Sequence, residues 1–537
     1  MSGILVVGSG ASGVHFALTA LERGHQVTML DVGHEGPAPV LPDASFDQLK
    51  SRLPDPAGYF LGARGEGVVY PAAGSAYYGH PPSKHYVFDV PEGFAASATA
   101  MEPHFSFARG GFAEAWTAGA YAFNRFDLED FPVEYAVMQR CYAQVARRIG
   151  IGALRDDLER FMPFDESYLQ PLPLDPHSRW LWDRYHERRD RLNRKLRFYL
   201  GRSRVATLSE DYAGRKACSQ LGRCLWGCPT DSIYGPAVTL RECQAKPQFR
   251  YVPGVLVRYF EVNESGRIGK LVARRLADGA AVEFQAEVVA LAAGTLATSK
   301  LVLDSVYRRT GQVAVLPGLM DNRQVHVPFL TPRLIGRGIE TASYQFHHLA
   351  FGIERNAPRD YVHGQITTLK AASIHPIVQS LPLDLRGALG VFRAMRAGLG
   401  VVNLNLPDRR RSESHLTLRP IPGTEDTELV IRYVDDPGES AELSFAVGIL
   451  KRALRGLGCF VPPRMTRIRP KGASVHYAGT LPMTVEGGKG GFTCAPDGKS
   501  RGFENLYIVD GASFPSLPAK NLTFTLMANA TRLAEGL

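Results

Sequence analysis

The chain has 537 residues, of which 45% are hydrophobic and 21% charged, and its formal net charge is +9. A chain of this length is too long to fold around one compact core, so two or three domains are expected. The basic residues do not gather into one long run, which argues against nucleic acid as a partner. Seven cysteines in such a chain do not indicate a secreted disulfide framework. We find neither a membrane-spanning apolar stretch nor a signal peptide, and the expected compartment is the cytoplasm.

The amino-terminal stretch has the pattern of a dinucleotide-binding unit. Residues 4–7 are an apolar run, which predicts a buried parallel strand, and residues 14–23 favour a helix. Between them lies a G-x-G-x-x-G turn, made by Gly8, Ser9, Gly10, Ala11, Ser12 and Gly13. The first glycine makes the turn tight, the second lets backbone approach a pyrophosphate, and the third lets the helix pack on the strand. The helix amino terminus presents unpaired N–H groups to the phosphates.

An acidic residue completes this unit. A second predicted strand, residues 26–30, ends at Asp31, 18 residues after Gly13. A carboxylate at this place accepts hydrogen bonds from a ribose 2′-OH and repels a 2′-phosphate. The complete order of strand, turn, helix, strand and acid distinguishes a nucleotide site from an ordinary glycine-rich turn.

Two further stretches allow backbone to come close to a flat ligand. Gly110 and Gly111 are followed by small residues up to Trp116, and paired glycines permit such an approach. Residues 288–298 predict a buried strand that runs through Ala293 and Gly294 into a helix.

Three cysteines lie within eleven residues, at positions Cys218, Cys224 and Cys228, and the last is followed by Pro229. Such a cluster is typical of thiolates that hold an iron–sulfur cluster. Packed structural thiols are the other interpretation, whereas zinc would need a fourth ligand that is not evident nearby.

Residues 321–470 predict a separate domain with an antiparallel sheet backed by helices. The evidence is a set of strand-like segments, a hairpin and an amphipathic helix, at residues 325–329, 342–346, 416–419 with 429–433, and 441–456. Two segments keep open interpretations. Residues 35–100, rich in Pro, Gly and Tyr, form either a lid or a solvated linker, and residues 385–402 form either a core helix or one that lies on a membrane surface or partner.

The last 65 residues return to cofactor chemistry. His476 precedes a turn of small residues, and a buried strand ends at Asp510 and Gly511. Asn521 opens the final predicted helix, whose dipole would favour the pyrimidine ring of a reduced flavin.

In this order, the motifs resemble those of the glucose–methanol–choline (GMC) oxidoreductase superfamily of FAD flavoproteins, and Gly110 through Thr117 is most similar to its pyranose-oxidase-like branch. The resemblance implies an α/β FAD-binding Rossmann-like domain and an α+β substrate domain with an antiparallel sheet, an architecture like that of p-hydroxybenzoate hydroxylase. The expected parts are residues 1–130 (FAD-binding, with the excursion 35–100), 131–200 (helical insertion on the substrate side), 201–320 (FAD-binding), 321–470 (substrate domain) and 471–537 (FAD-binding, with the active-site residues).

The resemblance also implies roles for single residues. His476 matches the active-site histidine that accepts the substrate proton, and Asn521 matches the second active-site position. Asn322 and His326 match more loosely the family's G-x-N-x-x-x-H stretch. The implied FAD contacts are Gly8, Gly10, Ala11, Ser12, Gly13, Asp31, Gly110, Gly111, Ala115, Val257 (adenine, through backbone), Ala293, Gly294, Asp510, Gly511 (both beside the isoalloxazine) and Thr523.

Three departures from the family pattern bear on the chemistry. Ala115 stands where the pyranose-oxidase branch has a histidine that bonds the flavin covalently, so we expect non-covalent FAD. Asn521 is followed by Leu522 rather than the usual proline. The cysteine stretch resembles both ordinary members with Gly-Cys-Pro and sugar dehydrogenases with an iron–sulfur cluster; the cluster is not the favoured interpretation.

The resemblance implies oxidation of an alcohol, a sugar-like, polyol-like or secondary hydroxyl, by hydride transfer to flavin N5 with His476 as general base. The electron acceptor is molecular oxygen or another acceptor. Two alternatives stay open: a flavin-dependent lyase or isomerase without net redox change, and a non-catalytic FAD-binding partner subunit.

Overall fold

A computed structural model describes residues 3–63, 65, 80–285, 287–356, 358–369, 378, 381–486 and 492–537. The helices in these ranges are α1 Ala11–Glu22, α2 Phe46–Arg52, α3 Pro56–Leu61, α4 Tyr135–Ile149, α5 Pro176–Leu196, α6 Pro236–Gln244, α7 Thr295–Thr310, α8 Leu385–Met395, α9 Glu439–Gly456 and α10 Thr523–Glu535. None of these helices is long and apolar enough to cross a bilayer.

The strands in the described ranges are β1 Gly3–Val7, β2 Gln26–Leu30, β3 Ala95–Thr99, β4 Phe198–Arg202, β5 Phe249–Val252, β6 Val255–Val262, β7 Ile268–Arg275, β8 Ala281–Gln285, β9 Val288–Leu291, β10 Val315–Pro317, β11 Met320–Asp321, β12 Gln324–Leu330, β13 Leu349–Glu354, β14 Tyr361–Thr368, β15 Leu399–Asn405, β16 His415–Pro420, β17 Thr427–Arg432, β18 Arg467–Ile468, β19 Tyr477–Ala478 and β20 Leu506–Ile508.

A five-stranded parallel sheet, in the order β20-β9-β1-β2-β5, combines strands from the amino-terminal, middle and carboxyl-terminal parts of the chain. Ile4 and Val6 pack in one core with residues of α1 and α10. Leu5 and Val7 belong to a second core on the opposite face. Because both faces of β1 are buried, every residue from position 4 to 7 must be apolar, which is why the sequence predicted this strand.

A second large sheet is six-stranded and antiparallel, in the order β18-β12-β15-β14-β13-β4. Side chains alternate between its two faces. Val325, Val327 and Phe329 on β12 pack with residues of α5 and α9 at the back. The opposite face, called here the front face, carries polar side chains such as His326 and Gln365 and borders a cavity. The predicted fold class is therefore confirmed.

Some local predictions were wrong or shifted. Residues 342–346, predicted as a strand, are irregular. Residues 385–402 divide into α8, where only Ala388 and Phe392 are buried, and the first half of β15. The final helix begins at Thr523 rather than Asn521. The predicted hairpin is confirmed as β16 and β17, but it joins a four-stranded sheet with β10 and β3 instead of the six-stranded antiparallel sheet, which is called here the front sheet. Part of the excursion 35–100 lies outside the described residues, and the domain boundaries stay predictions.

A buried ion pair anchors the segment that leads into α10. Lys520 and Asp127 are both fully buried and form a salt bridge. The Lys520 Nζ also donates to the carbonyl oxygens of Ala122, at 3.0 Å, and Phe161, at 2.6 Å. Burial lowers the pKa of Lys520 and raises that of Asp127. Each group therefore depends on the other for its charge, and the pair holds the chain just before Asn521.

Replacing Lys520 by methionine should lower the free energy of unfolding by about 3–5 kcal/mol, because Asp127 is left as an unpaired buried group. Urea denaturation followed by circular dichroism measures this loss. The matched control is Lys216→Met, which breaks an exposed pair with Asp211 and should leave the urea midpoint in place. Equal midpoints for both variants would contradict the role of the buried pair.

Candidate active site

A cavity of about 700 Å³ lies between the turns at the ends of β1, β2 and β9 and the front face of the antiparallel sheet. In open α/β sheets, ligands bind in such a crevice at the carboxyl ends of the strands. The predicted site residues that border this cavity are Gly8, Gly10, Ala11, Ser12, Asp31, Gly111, Ala115, Val257, Ala293, Gly294, His476, Asp510, Gly511, Asn521 and Thr523. Gly13 and Gly110 lie behind the cavity wall, and the roles of all these residues stay predictions.

Two glycines of the first turn have different roles: Gly13 leaves room for neighbouring backbone, and Gly10 leaves room for a ligand. A Cβ added at Gly13 would lie 2.0 Å from the carbonyl oxygen of Gly8, so Gly13 allows α1 to pack on the turn. A Cβ added at Gly10 meets no atom within 4 Å, because it would project into open space. A Cβ added at Gly111, which has φ +63°, would lie 3.3 Å from the Cα of Gly10. The two glycine motifs thus form one cradle that a side chain would fill.

Asp31 is held by neighbours that the sequence analysis did not identify. Its Oδ2 accepts hydrogen bonds from the Ser9 hydroxyl and, at 3.0 Å, from the Tyr251 hydroxyl. The Ser9 hydroxyl oxygen also accepts from the backbone N–H of Gly110 at 3.0 Å. Burial raises the pKa of Asp31 to about 6. Ser9 therefore joins the first turn, the acid and the second glycine motif, whereas Tyr251, 220 residues away, gives no sequence signal.

Asp510 links the carboxyl-terminal tail to the turn between β9 and α7. Its Oδ2 accepts from the backbone N–H of Gly294 at 2.9 Å and from the hydroxyl of Thr298 at 2.5 Å. Its Oδ1 accepts from the N–H of Ala512 at 3.0 Å. Burial raises the pKa of Asp510 to about 6. The tail and the amino terminus of α7 are thus drawn to the same side of the cavity.

The imidazole of His476 has a defined hydrogen-bonding state. Its Nδ1 lies 3.0 Å from the Oδ1 of Asn322. The Nδ2 of Asn322 donates to the carbonyl oxygens of Leu406, at 2.8 Å, and Pro518, at 3.1 Å. The amide oxygen must therefore face the histidine, so Nδ1 carries the proton and Nε2 carries a lone pair.

The second ring nitrogen is available for chemistry. Nε2 of His476 has no hydrogen-bond partner in the part of the chain that the structure describes, and the residue borders the cavity. Burial lowers the pKa of His476 to about 4. The ring is therefore neutral at physiological pH and presents a proton acceptor to the cavity.

Asn521 lies on the cavity wall two residues before α10. Its Oδ1 accepts from the Nε2 of Gln365 at 3.3 Å, which leaves the amide nitrogen as the donor that remains for a ligand. Gln365 is on β14 of the front sheet and was not among the predicted site residues. The sequence indicates Gln365 only as a polar residue in a strand whose alternate positions are apolar.

The three clustered cysteines have protein neighbours rather than a visible ligand set. The Sγ of Cys224 accepts from the backbone N–H of Gln345 at 3.4 Å, and the Sγ of Cys228 lies 3.3 Å from the Ser232 hydroxyl. Cys218 packs with Cys224 in an apolar cluster. Among the described residues, no three His, Cys, Asp or Glu side chains are grouped so as to hold a metal ion.

Comparisons with known proteins show which family the chain is similar to. Residues 411–530 match the family model described as GMC oxidoreductase. An uncharacterized GMC-type oxidoreductase of Mycobacterium tuberculosis is 25% identical over 374 residues, or 62% of this chain and 52% of that protein. The match thus spans about half the length of this curated relative.

Solved structures share the fold over the whole chain. An FAD-dependent oxidoreductase from Chaetomium thermophilum superposes with a TM-score of 0.59 at 14% identity, covering 100% of this chain and 98% of that one. Pyridoxine 4-oxidase from Mesorbium loti gives 0.57 at 13% identity, covering 100% and 99%. Identities this low establish the fold alone.

The resemblance to the GMC superfamily is confirmed by these matches, whereas the pyranose-oxidase-like branch stays a prediction. The cofactor of this family is FAD, and the residues of the cavity fit it. The cradle at Gly10 and Gly111 is open where a Cβ would otherwise stand, as close approach to a pyrophosphate requires. Asp31 lies at the end of β2 beside the same cavity, where a ribose hydroxyl would meet it.

Replacing Gly10 by alanine should weaken FAD binding at least tenfold and leave the apoprotein as stable as before. Gly10 has φ −63°, which alanine adopts freely, and the new methyl group would occupy only the cradle. Fluorescence titration of the apoprotein with FAD measures the affinity, and thermal unfolding measures the stability. Gly269→Ala is the matched control, because its Cβ also meets no atom within 4 Å but lies on β7 outside the cavity. Unchanged FAD affinity in Gly10→Ala would refute the cradle.

Proposed function

We propose that this chain is a GMC oxidoreductase, as the match of residues 411–530 to that family model suggests, and that it oxidises an alcohol to a carbonyl compound. The observation that carries this proposal is the neutral imidazole of His476 beside the cavity, whose Nε2 has no hydrogen-bond partner among the described residues. A C–H bond does not release hydride readily unless the adjacent O–H loses its proton, so a base within hydrogen-bond reach is required. When bound, FAD supplies the hydride acceptor at N5.

The protein residues divide the work of binding and proton transfer. Gly10 and Gly111 would hold the pyrophosphate, and Asp31 the ribose. Nε2 of His476 accepts the hydroxyl proton of the alcohol. The amide nitrogen of Asn521 donates to the same oxygen and fixes its direction. Asn322 acts through His476 as a positioning residue, because it keeps the proton on Nδ1.

Finer features of the reaction follow from single residues and from the family. The methyl side chain of Ala115 offers no atom for a covalent bond to the flavin, so FAD is held non-covalently. A sugar-like, polyol-like or secondary alcohol is the substrate class that the family resemblance implies. Molecular oxygen or another acceptor takes the electrons from the reduced cofactor.

His476→Ala should slow flavin reduction by about 10²–10⁴-fold, because the general base is lost, while FAD content stays that of the wild type. The measurement is anaerobic stopped-flow bleaching of the flavin band with the most reactive member of a panel of sugars, polyols and secondary alcohols. His186→Ala, an exposed histidine on α5, is the control and should react at the wild-type rate. The proposed function fails if no alcohol in the panel bleaches the wild-type flavin.

The rate of flavin reduction should be constant at neutral pH and fall on the acid side, with a midpoint near the pKa of about 4 that burial imposes on His476. Protonation there removes the lone pair of Nε2. Asn322→Asp places a carboxylate next to Nδ1, which favours the imidazolium, so its midpoint should move at least one pH unit upward. Asn263→Asp, on the exposed β6–β7 turn, controls for the added charge. A midpoint that is the same in Asn322→Asp and wild type would exclude this positioning role.

A further inference from the structure

Three polar side chains lie in one row across the front sheet. Asn403 on β15 is directly opposite His326 on β12 and directly opposite Gln365 on β14. Side chains at such paired positions lie about 5 Å apart. All three border the cavity, and Gln365 also donates to Asn521 at 3.3 Å. This set, called here the polar row, therefore continues the line of hydrogen-bonding groups away from the catalytic position.

The polar row carries no charge at neutral pH. Two of its members are amides. Burial, aided by Arg469 and Arg467, lowers the pKa of His326 to about 4, so its imidazole is neutral. Arg469 also borders the cavity, and its Nη1 donates to the Oε1 of Gln324 at 3.3 Å. Neutral donors and acceptors of this kind suit hydroxyl groups.

The front sheet becomes apolar toward α8, whose Ala388 and Phe392 belong to the small core against which Leu369 and Leu399 pack. Two residues further along the strands, Val401 pairs with Pro328 and Thr367. Leu399 follows, and its carbonyl oxygen accepts from the N–H of Leu369 at 2.9 Å. The apolar residues that border the cavity here, called the apolar strip, are Pro328, Val401, Leu399, Leu369 and Met465.

The direction of the strip is given by burial. On the other side of the polar row, the next cross-strand set is Gln324, Asn405 and His363, all of them buried. Met465, in contrast, is 48% exposed. Successive rows on one face are about 6.7 Å apart, so the strip runs about 13 Å from the polar row to Leu399.

We propose that the substrate is amphiphilic, with an uncharged head that bears at least two hydroxyl groups and an apolar chain attached to it. The polar row holds the head, and the apolar strip holds the chain. The inference rests on the proposed function in one respect: the oxidised hydroxyl is the one next to His476. A free hexose would leave the strip against a polar surface and gain nothing from burial there.

The test is binding of straight-chain 1,2-diols, from propane-1,2-diol to octane-1,2-diol, to the oxidised FAD-loaded protein. Perturbation of the flavin absorbance band gives the Kd of each diol. Each added methylene should lower Kd about fourfold, as expected for an apolar group leaving water. Glycerol and glucose should bind as weakly as propane-1,2-diol.

Paired variants separate the two parts of the site. Val401→Thr should weaken octane-1,2-diol several-fold and leave propane-1,2-diol unchanged, because only the longer chain reaches the strip. Val430→Thr is the matched control: Val430 is likewise half-buried in the middle of a strand, β17, but is outside the cavity wall, and should change neither Kd. Asn403→Leu should abolish the preference for octane-1,2-diol over octan-1-ol while keeping the dependence on chain length.

The outcomes distinguish this proposal from the proposed function. A Kd that does not depend on chain length overturns the apolar strip, even if alcohols reduce the flavin. Tighter binding of 2-hydroxyoctanoate than of octane-1,2-diol overturns the uncharged head. Binding that strengthens with chain length, with no flavin reduction by any diol or by any alcohol of the panel, supports the proposed binding mode and refutes the oxidation.

Discussion

The carboxylate of Asp510 joins the parts of the chain on which the cavity depends. It stands just after β20, and it accepts from the backbone of Gly294, which stands just after the neighbouring strand β9. Because parallel strands end at the same edge of a sheet, the tail and the α7 turn meet there. The hydroxyl of Thr298 completes the link. The tail that carries His476 and Asn521 thus faces the amino-terminal glycine turn across one cavity.

The chemistry of His476 follows from a chain of hydrogen bonds rather than from the residue alone. The carbonyl oxygens of Leu406 and Pro518 orient the amide of Asn322, and that amide sets the proton on Nδ1. Burial then keeps the ring neutral by lowering its pKa. An imidazole whose pKa is lowered is a weaker base than one with the ordinary pKa, but it is in its proton-accepting form over the whole physiological pH range. Burial and the contact with Asn322 thus make His476 a weaker base, but they define its tautomer and the direction of the lone pair on Nε2.

The two sheets border the cavity in different ways, because one is buried on both faces and the other on one face only. The parallel sheet is buried on both faces, so it meets a cofactor at the ends of its strands, with the backbone of the glycine turn and the carboxylate of Asp31. The antiparallel front sheet is buried on one face by α5 and α9, so its other face is free to carry side chains of chosen polarity. Along β12, β14 and β15 this face changes from polar to apolar within a few residues. One side of the cavity thus includes the turns at strand ends, and the other is the face of a sheet.

The sequence by itself determined the features that depend on local pattern. The buried strand at residues 4–7, the glycine turn and Asp31 are neighbours in the chain, and each follows from steric or hydrogen-bonding needs that act over a few residues. The hairpin of β16 and β17 was predictable for the same reason. Residues 342–346 have a strand-like pattern but form no strand, because their aromatic side chains are buried by packing without backbone pairing.

Only the tertiary structure decided which distant residues meet. Tyr251 reaches Asp31, Asn322 reaches His476, and Gln365 reaches Asn521 across separations of more than 150 residues. The polar row depends on the register of three strands, and a shift by one residue would turn all its members to the other face. Register is set by the packing of the whole back face, which no short stretch of sequence contains.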